Sequence, residues 1–160
     1  MEQNALGLAL GVAGSVLAFA LGASGSSIGV GYAARAASGV VTEDPDKFGR
    51  LIPIVAIPGT QGFYGFLVFF LVTIVKINLL GQIRYPSLEQ GIKIFLVGFC
   101  VGLTLLISAI HQGKVSAACV GIIAKKPEQA GKALILPAFV ETYAVLSLVV
   151  GVLVLLFMKY

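Results

Sequence analysis

Charge is what this sequence has least of. Only 11% of its 160 residues are Asp, Glu, Lys or Arg, 58% are hydrophobic, and the mean hydropathy is +1.01. A soluble globular domain carries about 25% charged residues, so this chain lacks the surface that a water-soluble fold requires. It also lacks any basic stripe with interleaved aromatics, and its net charge of +4 lies in short segments beside apolar blocks. Nucleic acid is excluded as a partner on that pattern. There are two cysteines, Cys100 and Cys119, 19 residues apart in one apolar block and without metal-ligand spacing. They read as two separate, buried, small apolar fillers. No basic residue precedes the first apolar stretch, which opens Met1-Glu2-Gln3-Asn4. That block is therefore expected to be a retained helix and not a cleaved signal.

What the sequence has instead is apolar length. Crossing a hydrocarbon core of roughly 30 Å takes about 20 apolar residues, and four blocks qualify: 6–41, 51–80, 92–124 and 133–158. The expected fold is an all-α membrane protein of four transmembrane helices.

The blocks are related. A shift of 82 residues places Ser26, Ile28, Gly31, Ala36, Gly39, Pro45, Asp46 and Gly49 on Ser108, Ile110, Gly113, Ala118, Gly121, Pro127, Glu128 and Gly131. A repeat of this length fixes architecture before any local reading. It gives two tandem helical hairpins, 1–80 and 81–160, joined by the polar segment 81–90. Each unit contains two spans, so both run in the same direction, as parallel and not inverted repeats. Two residues fewer in the second copy bring Gln61 opposite Glu141.

Orientation follows from Lys and Arg. Seven lie toward the hairpin loops (Arg35, Lys47, Arg50, Lys114, Lys125, Lys126, Lys132) and four toward the other side (Lys76, Arg84, Lys93, Lys159). Loops 42–50 and 124–132 are expected to be cytoplasmic and both termini external.

The first block is thin. Between Ala5 and Val41, 23 of 37 residues are Gly, Ala or Ser, with small-xxx-small spacings at Gly7/Gly11 and Gly25/Gly29. The second block is bulky, with Phe63, Phe66, Phe69 and Phe70. A thin helix beside a bulky one makes a wedge, and wedges close into rings. On that reading the small-residue face lines the inner side of a ring, with the second and fourth helices outside. An ordinary packed bundle, in which glycine merely permits close contact, fits the same composition.

Away from ends and loops there is one acidic residue, Glu141. An intramembrane carboxylate is expensive and points to function when a partner can be named; the structural alternative is a protonated Glu making one interhelical hydrogen bond. Partners of one chemical kind are available. Thr60 and Tyr64 share a helix face at i, i+4 with Gln61 adjacent, and Gln112 lies on the third helix. Neutral oxygens around one carboxylate suit a hard monovalent cation, since a divalent ion would want more carboxylates. Proton carriage would need the carboxylate alone. Pro58 removes a backbone donor and frees the carbonyl of Ile54, while Gly59 loosens the same turn, so backbone oxygens there are further candidate ligands. His111, about 100° around the helix from Gln112, reads as a structural donor or lipid-headgroup contact in preference to a proton relay. Lys114, Lys125 and Lys126 read as the cytoplasmic edge.

Four stretches carry a family resemblance: Pro58-Gly-Thr-Gln-Gly-Phe-Tyr-Gly-Phe66, Gln112-Gly-Lys114, Ala124-Lys-Lys-Pro-Glu128 and Val140-Glu-Thr-Tyr143. With these the chain resembles, over essentially its full length, the proteolipid rotor subunit (K or c subunit) of V-type and A-type ATPases. The likeness is greatest to the sodium-translocating V-type enzymes of bacteria. The resemblance implies a Na+ site formed by the Ile57 backbone carbonyl, Thr60, Gln61, Gln112 and Glu141, with Tyr64 hydrogen-bonded to Glu141.

It also implies a ring of identical subunits, set in the lipid of a bacterial plasma membrane. The ring would turn against a stator membrane subunit that presents an arginine, and would be coupled to central-stalk subunits. The chain itself would be non-catalytic, with no catalytic residue and no tightly bound cofactor; ATP hydrolysis belongs to the soluble head, and Na+ is the transported ion.

Gln61 replaces the acid in the first repeat, which halves the carriers per helix count. Moving one charge costs about 2.3 kcal/mol per 100 mV, so fewer ions per ATP favours a pump over a synthase. Two other readings of the residues stand beside this one: the same rotor carrying H+, and an independent small cation transporter. A purely structural four-helix protein leaves Glu141 unexplained.

Overall fold

The computed structural model describes residues 2–158, so Lys159, counted above among the terminal-side cations, lies outside the described residues. Among these residues all regular structure is helical. Four helical segments are long and apolar enough to cross a membrane: one within the first helix, then 45–76, 88–125 and 127–157. The chain is a multi-pass integral membrane protein. The first helix, Glu2–Glu43, is unbroken over 42 residues, about 63 Å at 1.5 Å per residue. The third, Leu88–Lys125, has 38 residues. Both exceed the hydrocarbon thickness, so their ends stand out of it with the hairpin loops.

The repeat is visible in the turns. The first and third helices each stop where a proline follows, because the residue before proline is pushed out of the helical region. Asp44 and Lys126 adopt non-helical angles there, and Pro45–Lys47 and Pro127–Gln129 form matching 3-10 turns. The two turns are tied together: Lys47 pairs with Asp44 at 3.0 Å and donates to the Ala124 carbonyl at 2.8 Å, a cation at the C-terminal end of the third helix. At the other end, Lys76 donates to the carbonyls of Leu156 and Met158 at 3.3 Å each.

The second helix departs from expectation. It runs as α-helix over Phe48–Ala56 and Thr60–Phe70, with a 3-10 turn at Ile57–Gly59 between them and a π-helical turn at Leu71–Lys76. It ends four residues before the expected 80. Asn78 takes a left-handed φ of 56°, and the Arg84 amide donates back to the Ile77 carbonyl, so the chain turns away although Leu79 and Leu80 are apolar. The third helix starts at Leu88 because Ser87 and Gln90 form a reciprocal capping box.

The first and third helices pack side by side and in parallel along a glycine seam. Gly7, Gly14 and Gly29 meet Gly91, Gly98 and Gly113, and a Cβ at any of these six would overlap backbone of the opposing helix or the turn leading into it. The partners in each pair are 84 residues apart, so the register is constant along the seam. Gly25 also lies against Leu106, where an added Cβ would come within 2.8 Å of backbone. One small-residue face of the first helix is thus used within the chain, while Ala9, Ala13, Ala20, Ser24 and Ser27 remain exposed. Small residues let backbones approach this closely, and in these three pairs the third helix supplies a glycine of its own. The second helix lies on the first through Gly65 against Ala18, and the fourth on the third through Gly151 against Val101. Phe63, Phe66 and Phe70 face outward.

Two apolar clusters flank the middle of the bundle. One, toward the termini, contains Val68, Val72, Ile94, Val101, Leu105 and Leu155. The other, toward the hairpin loops, contains Leu51, Ile54, Cys119, Val120 and Ile123. Cys119 is buried as expected, but Cys100 is exposed, which corrects the reading of both thiols as buried fillers. Position 100 lies on the outward face of the third helix. Arg35 and Lys114 also differ from a loop-edge reading. Both sit within the first and third helices, and both lie over the Tyr32 ring, at 5.3 and 6.0 Å from its centroid. They are weaker markers of sidedness than cations in loops.

Candidate functional site

The site lies between the two apolar clusters, where the second helix changes pitch. Pro58 has no N–H to give to an α-helical ladder, and the backbone answers with the 3-10 turn Ile57–Gly59. The Ile57 carbonyl then accepts both the Thr60 amide and the Thr60 hydroxyl, the latter at 3.0 Å. Helix resumes at Thr60 and directs Gln61 inward, where it is 0% exposed. Gln112, on the buried face of the third helix, is also 0% exposed. Buried carboxamides must find partners, and these two find each other.

One chain of contacts links all the expected residues. The Thr60 hydroxyl lies 3.4 Å from Gln61 Oε1. Gln61 Nε2 donates to Gln112 Oε1 at 2.7 Å. Gln112 Nε2 donates to Glu141 Oε2 at 3.3 Å and to the Pro137 carbonyl at 3.0 Å. The Tyr64 hydroxyl donates to Glu141 Oε1 at 2.5 Å. The carboxylate is half-buried, set just beneath an outer surface on which Phe139 and Tyr143 are exposed. Thr60 opens onto the shallow groove between the second and fourth helices, beside Ile57 and Ala138.

Chemically the cluster is a set of hard oxygens around one formal negative charge. An amide oxygen has two lone pairs and a carboxylate about four acceptor positions, so Gln61 Oε1, Gln112 Oε1 and both Glu141 oxygens retain capacity beyond the bonds described. Among the described residues no hydrogen bond or ion pair brings a cationic side chain into the network. Lys114 is only two residues from Gln112 but is exposed and turned onto Tyr32. His111 is exposed in a shallow depression with Ser108, Val140 and Tyr143 and lies outside the network.

Sequence reasoning missed two side chains beside the site. The Ser26 hydroxyl accepts the Gly62 amide at 2.8 Å. Ser108 lies 3.4 Å from Gln61 Nε2 and donates to the Val140 carbonyl at 3.2 Å. The signal was present, since Ser26 and Ser108 are the first pair matched by the repeat, but serine in a small-residue helix reads as filler.

The family model for the C subunit of ATP synthase matches twice, over residues 13–72 and 95–154, with starts 82 residues apart as in the repeat. The V-type sodium ATPase subunit K of Enterococcus hirae is 43% identical over 132 residues, 82% of this chain and 81% of that protein. The A-type ATP synthase subunit K of Methanocaldococcus jannaschii is 37% identical over 148 residues, 92% of this chain and 62% of that longer protein.

Proposed function

The chain belongs to the family of ATP synthase C subunits, and from that premise we propose that it is the membrane rotor-ring subunit of a rotary V-type ATPase, carrying Na+ on Glu141. The observation that supports this most is the single chain of contacts from the Ile57 carbonyl through Thr60, Gln61 and Gln112 to a half-buried Glu141 held by Tyr64. A proton carrier needs the carboxylate; the converging neutral oxygens suit a cation whose hydration shell must be replaced. The name of the Enterococcus hirae relative, a sodium ATPase subunit, supports the same ion.

The electrostatics give a cycle. Glu141 with Na+ is neutral and faces lipid at little cost, whereas the empty carboxylate facing hydrocarbon costs several kcal/mol. Opposite a stator arginine the ion pair replaces Na+, and rotation brings the next loaded subunit in. Gln61, at the position equivalent to Glu141, supplies an oxygen where a second acid would supply a second carrier, which suits a pump working against a steep gradient. The subunit is non-catalytic and holds no cofactor. The hairpins 1–80 and 81–160 each contribute one inner and one outer helix to a ring in a bacterial plasma membrane. Loops 42–50 and 124–132 meet the central stalk in the cytoplasm.

Stoichiometric binding of Na+ to the purified protein near neutral pH tests the proposal, and a protein that binds none contradicts it. Two variants test the ligand set. Gln112→Leu and Thr60→Val each remove one neutral oxygen, a loss of about 1–3 kcal/mol, on the order of tenfold or more in Na+ affinity. Assembly should be affected less. Unchanged affinity in both would favour the proton-carrying rotor.

A further inference from the structure

We propose that Ser108 is a positioning residue that sets the orientation of the Gln61 carboxamide, and through it the geometry offered to the transported cation. The proposal rests on the reading of this site as a cation site.

Repeat symmetry gives the first observation. Ser26 and Ser108 occupy equivalent places, yet their hydroxyls do different work. Gly62 is the third residue of the helical segment that restarts at Thr60, so its amide is among those a helix start leaves unpaired. Ser26 accepts it from the first helix at 2.8 Å. That bond holds backbone to backbone and touches no ligand.

Ser108 is placed differently. It is 7% exposed, and it joins three helices. Its oxygen accepts from Gln61 Nε2 at 3.4 Å, and its hydroxyl donates to the carbonyl of Val140, the residue before Glu141, at 3.2 Å. A serine hydroxyl has one proton to give, and Val140 takes it. Ser108 can therefore offer Gln61 only an acceptor, which selects the NH2 end of the carboxamide. Gln112 Oε1 selects the same end at 2.7 Å. With both amide protons engaged, Gln61 Oε1 is left facing the Thr60 hydroxyl, which itself bonds the Ile57 carbonyl. Without Ser108 one amide proton of a fully buried group has no partner, and the bond to Gln112 alone orients the carboxamide.

The test uses the assembled, detergent-purified protein and measures Na+ affinity by direct titration. Ser108→Ala should weaken Na+ binding by about tenfold, the scale of an unsatisfied buried donor. In a Gln61→Leu background the same change should add less than about twofold, because the group it acts through is gone. Ser108→Thr keeps the hydroxyl and should bind Na+ within about threefold of the unsubstituted protein. Ser26→Ala should lower thermal stability and leave affinity within about twofold.

Equal weakening with and without Gln61 would overturn the proposal, as would unchanged affinity in Ser108→Ala. A Ser108→Thr protein that binds as poorly as Ser108→Ala, or a Ser108→Ala protein that does not assemble, would make the hydroxyl a packing requirement and overturn it too. Absence of Na+ binding in the unsubstituted protein is a separate result, which would overturn the cation reading itself.

Discussion

Glu141→Gln is expected to abolish Na+ binding while leaving the four-helix bundle in place. The glutamine keeps the shape of the side chain and one acceptor oxygen for the Gln112 amide, and its NH2 faces the Tyr64 hydroxyl, which can turn to accept where it now donates to Glu141. What it removes is the negative charge of the network. A cation stripped of water among Gln61, Gln112 and Thr60 then has dipoles but no counter-charge. Removing one partner of a buried ion pair costs about 3–5 kcal/mol, so affinity should fall by at least about 100-fold. Isothermal titration of the purified variant measures it. Because Glu141 is half-buried, the effect belongs at the lower end of that range. Sodium binding within tenfold of the unsubstituted protein would mean that the ion is held elsewhere.

The second large effect concerns the seam between the first and third helices. Gly29→Leu should prevent folding altogether. A Cβ at Gly29 already overlaps the Ala109 carbonyl oxygen and comes within 2.9 Å of the Pro58 side chain, and Gly113 faces it from the other helix. Overpacking a core usually costs about 1–3 kcal/mol, but here the obstacle is backbone on the opposing helix, which has no rotamer to change. Pro58 is also the residue that shapes the site, so displacement at Gly29 reaches the Ile57–Gly59 turn directly. Gly39 is the control. It is exposed with nothing within 4 Å of an added Cβ, so Gly39→Leu should leave the bundle folded. Yield and thermal melting of the two purified variants decide between a seam internal to the chain and a merely small-residue surface.

Much of this was legible in the sequence. The spans follow from apolar length and the hairpins from the 82-residue repeat, because both are periodic signals spread over many residues. The site was legible for a different reason. In an apolar chain a carboxylate and large carboxamides are conspicuous, and Gln61, Gln112, Tyr64 and Glu141 are joined in the structure by direct hydrogen bonds.

What escaped was local or relational. The second helix ends at Lys76 through a π turn and a left-handed Asn78, which an apolar run through Leu80 conceals. The glycines of the first helix could be seen to allow close approach, but not whom they approach. That is fixed by glycines 84 residues away, and a single helix shows only half of a seam. Serines beside the site were invisible because their role depends on which atom faces them. Ser26 meets a backbone amide, while Ser108 meets a side-chain amide and a carbonyl.

Carbodiimide labelling of Glu141 tests the central claim most directly. Carbodiimides partition into membranes and react with protonated carboxyl groups, so an intramembrane glutamate is modified in preference to acids in the loops. If Na+ and H+ compete for this one carboxylate, added Na+ must protect it, and less Na+ must suffice as pH rises because fewer protons compete. The measurement is the rate of Glu141 modification in the purified protein across pH, with Na+ exchanged for K+ at constant ionic strength. The account predicts protection by Na+, not by K+, with the half-protecting Na+ concentration falling as pH increases. Labelling that follows pH alone and is the same in Na+ and K+ at every pH would contradict Na+ carriage and leave a rotor that carries protons.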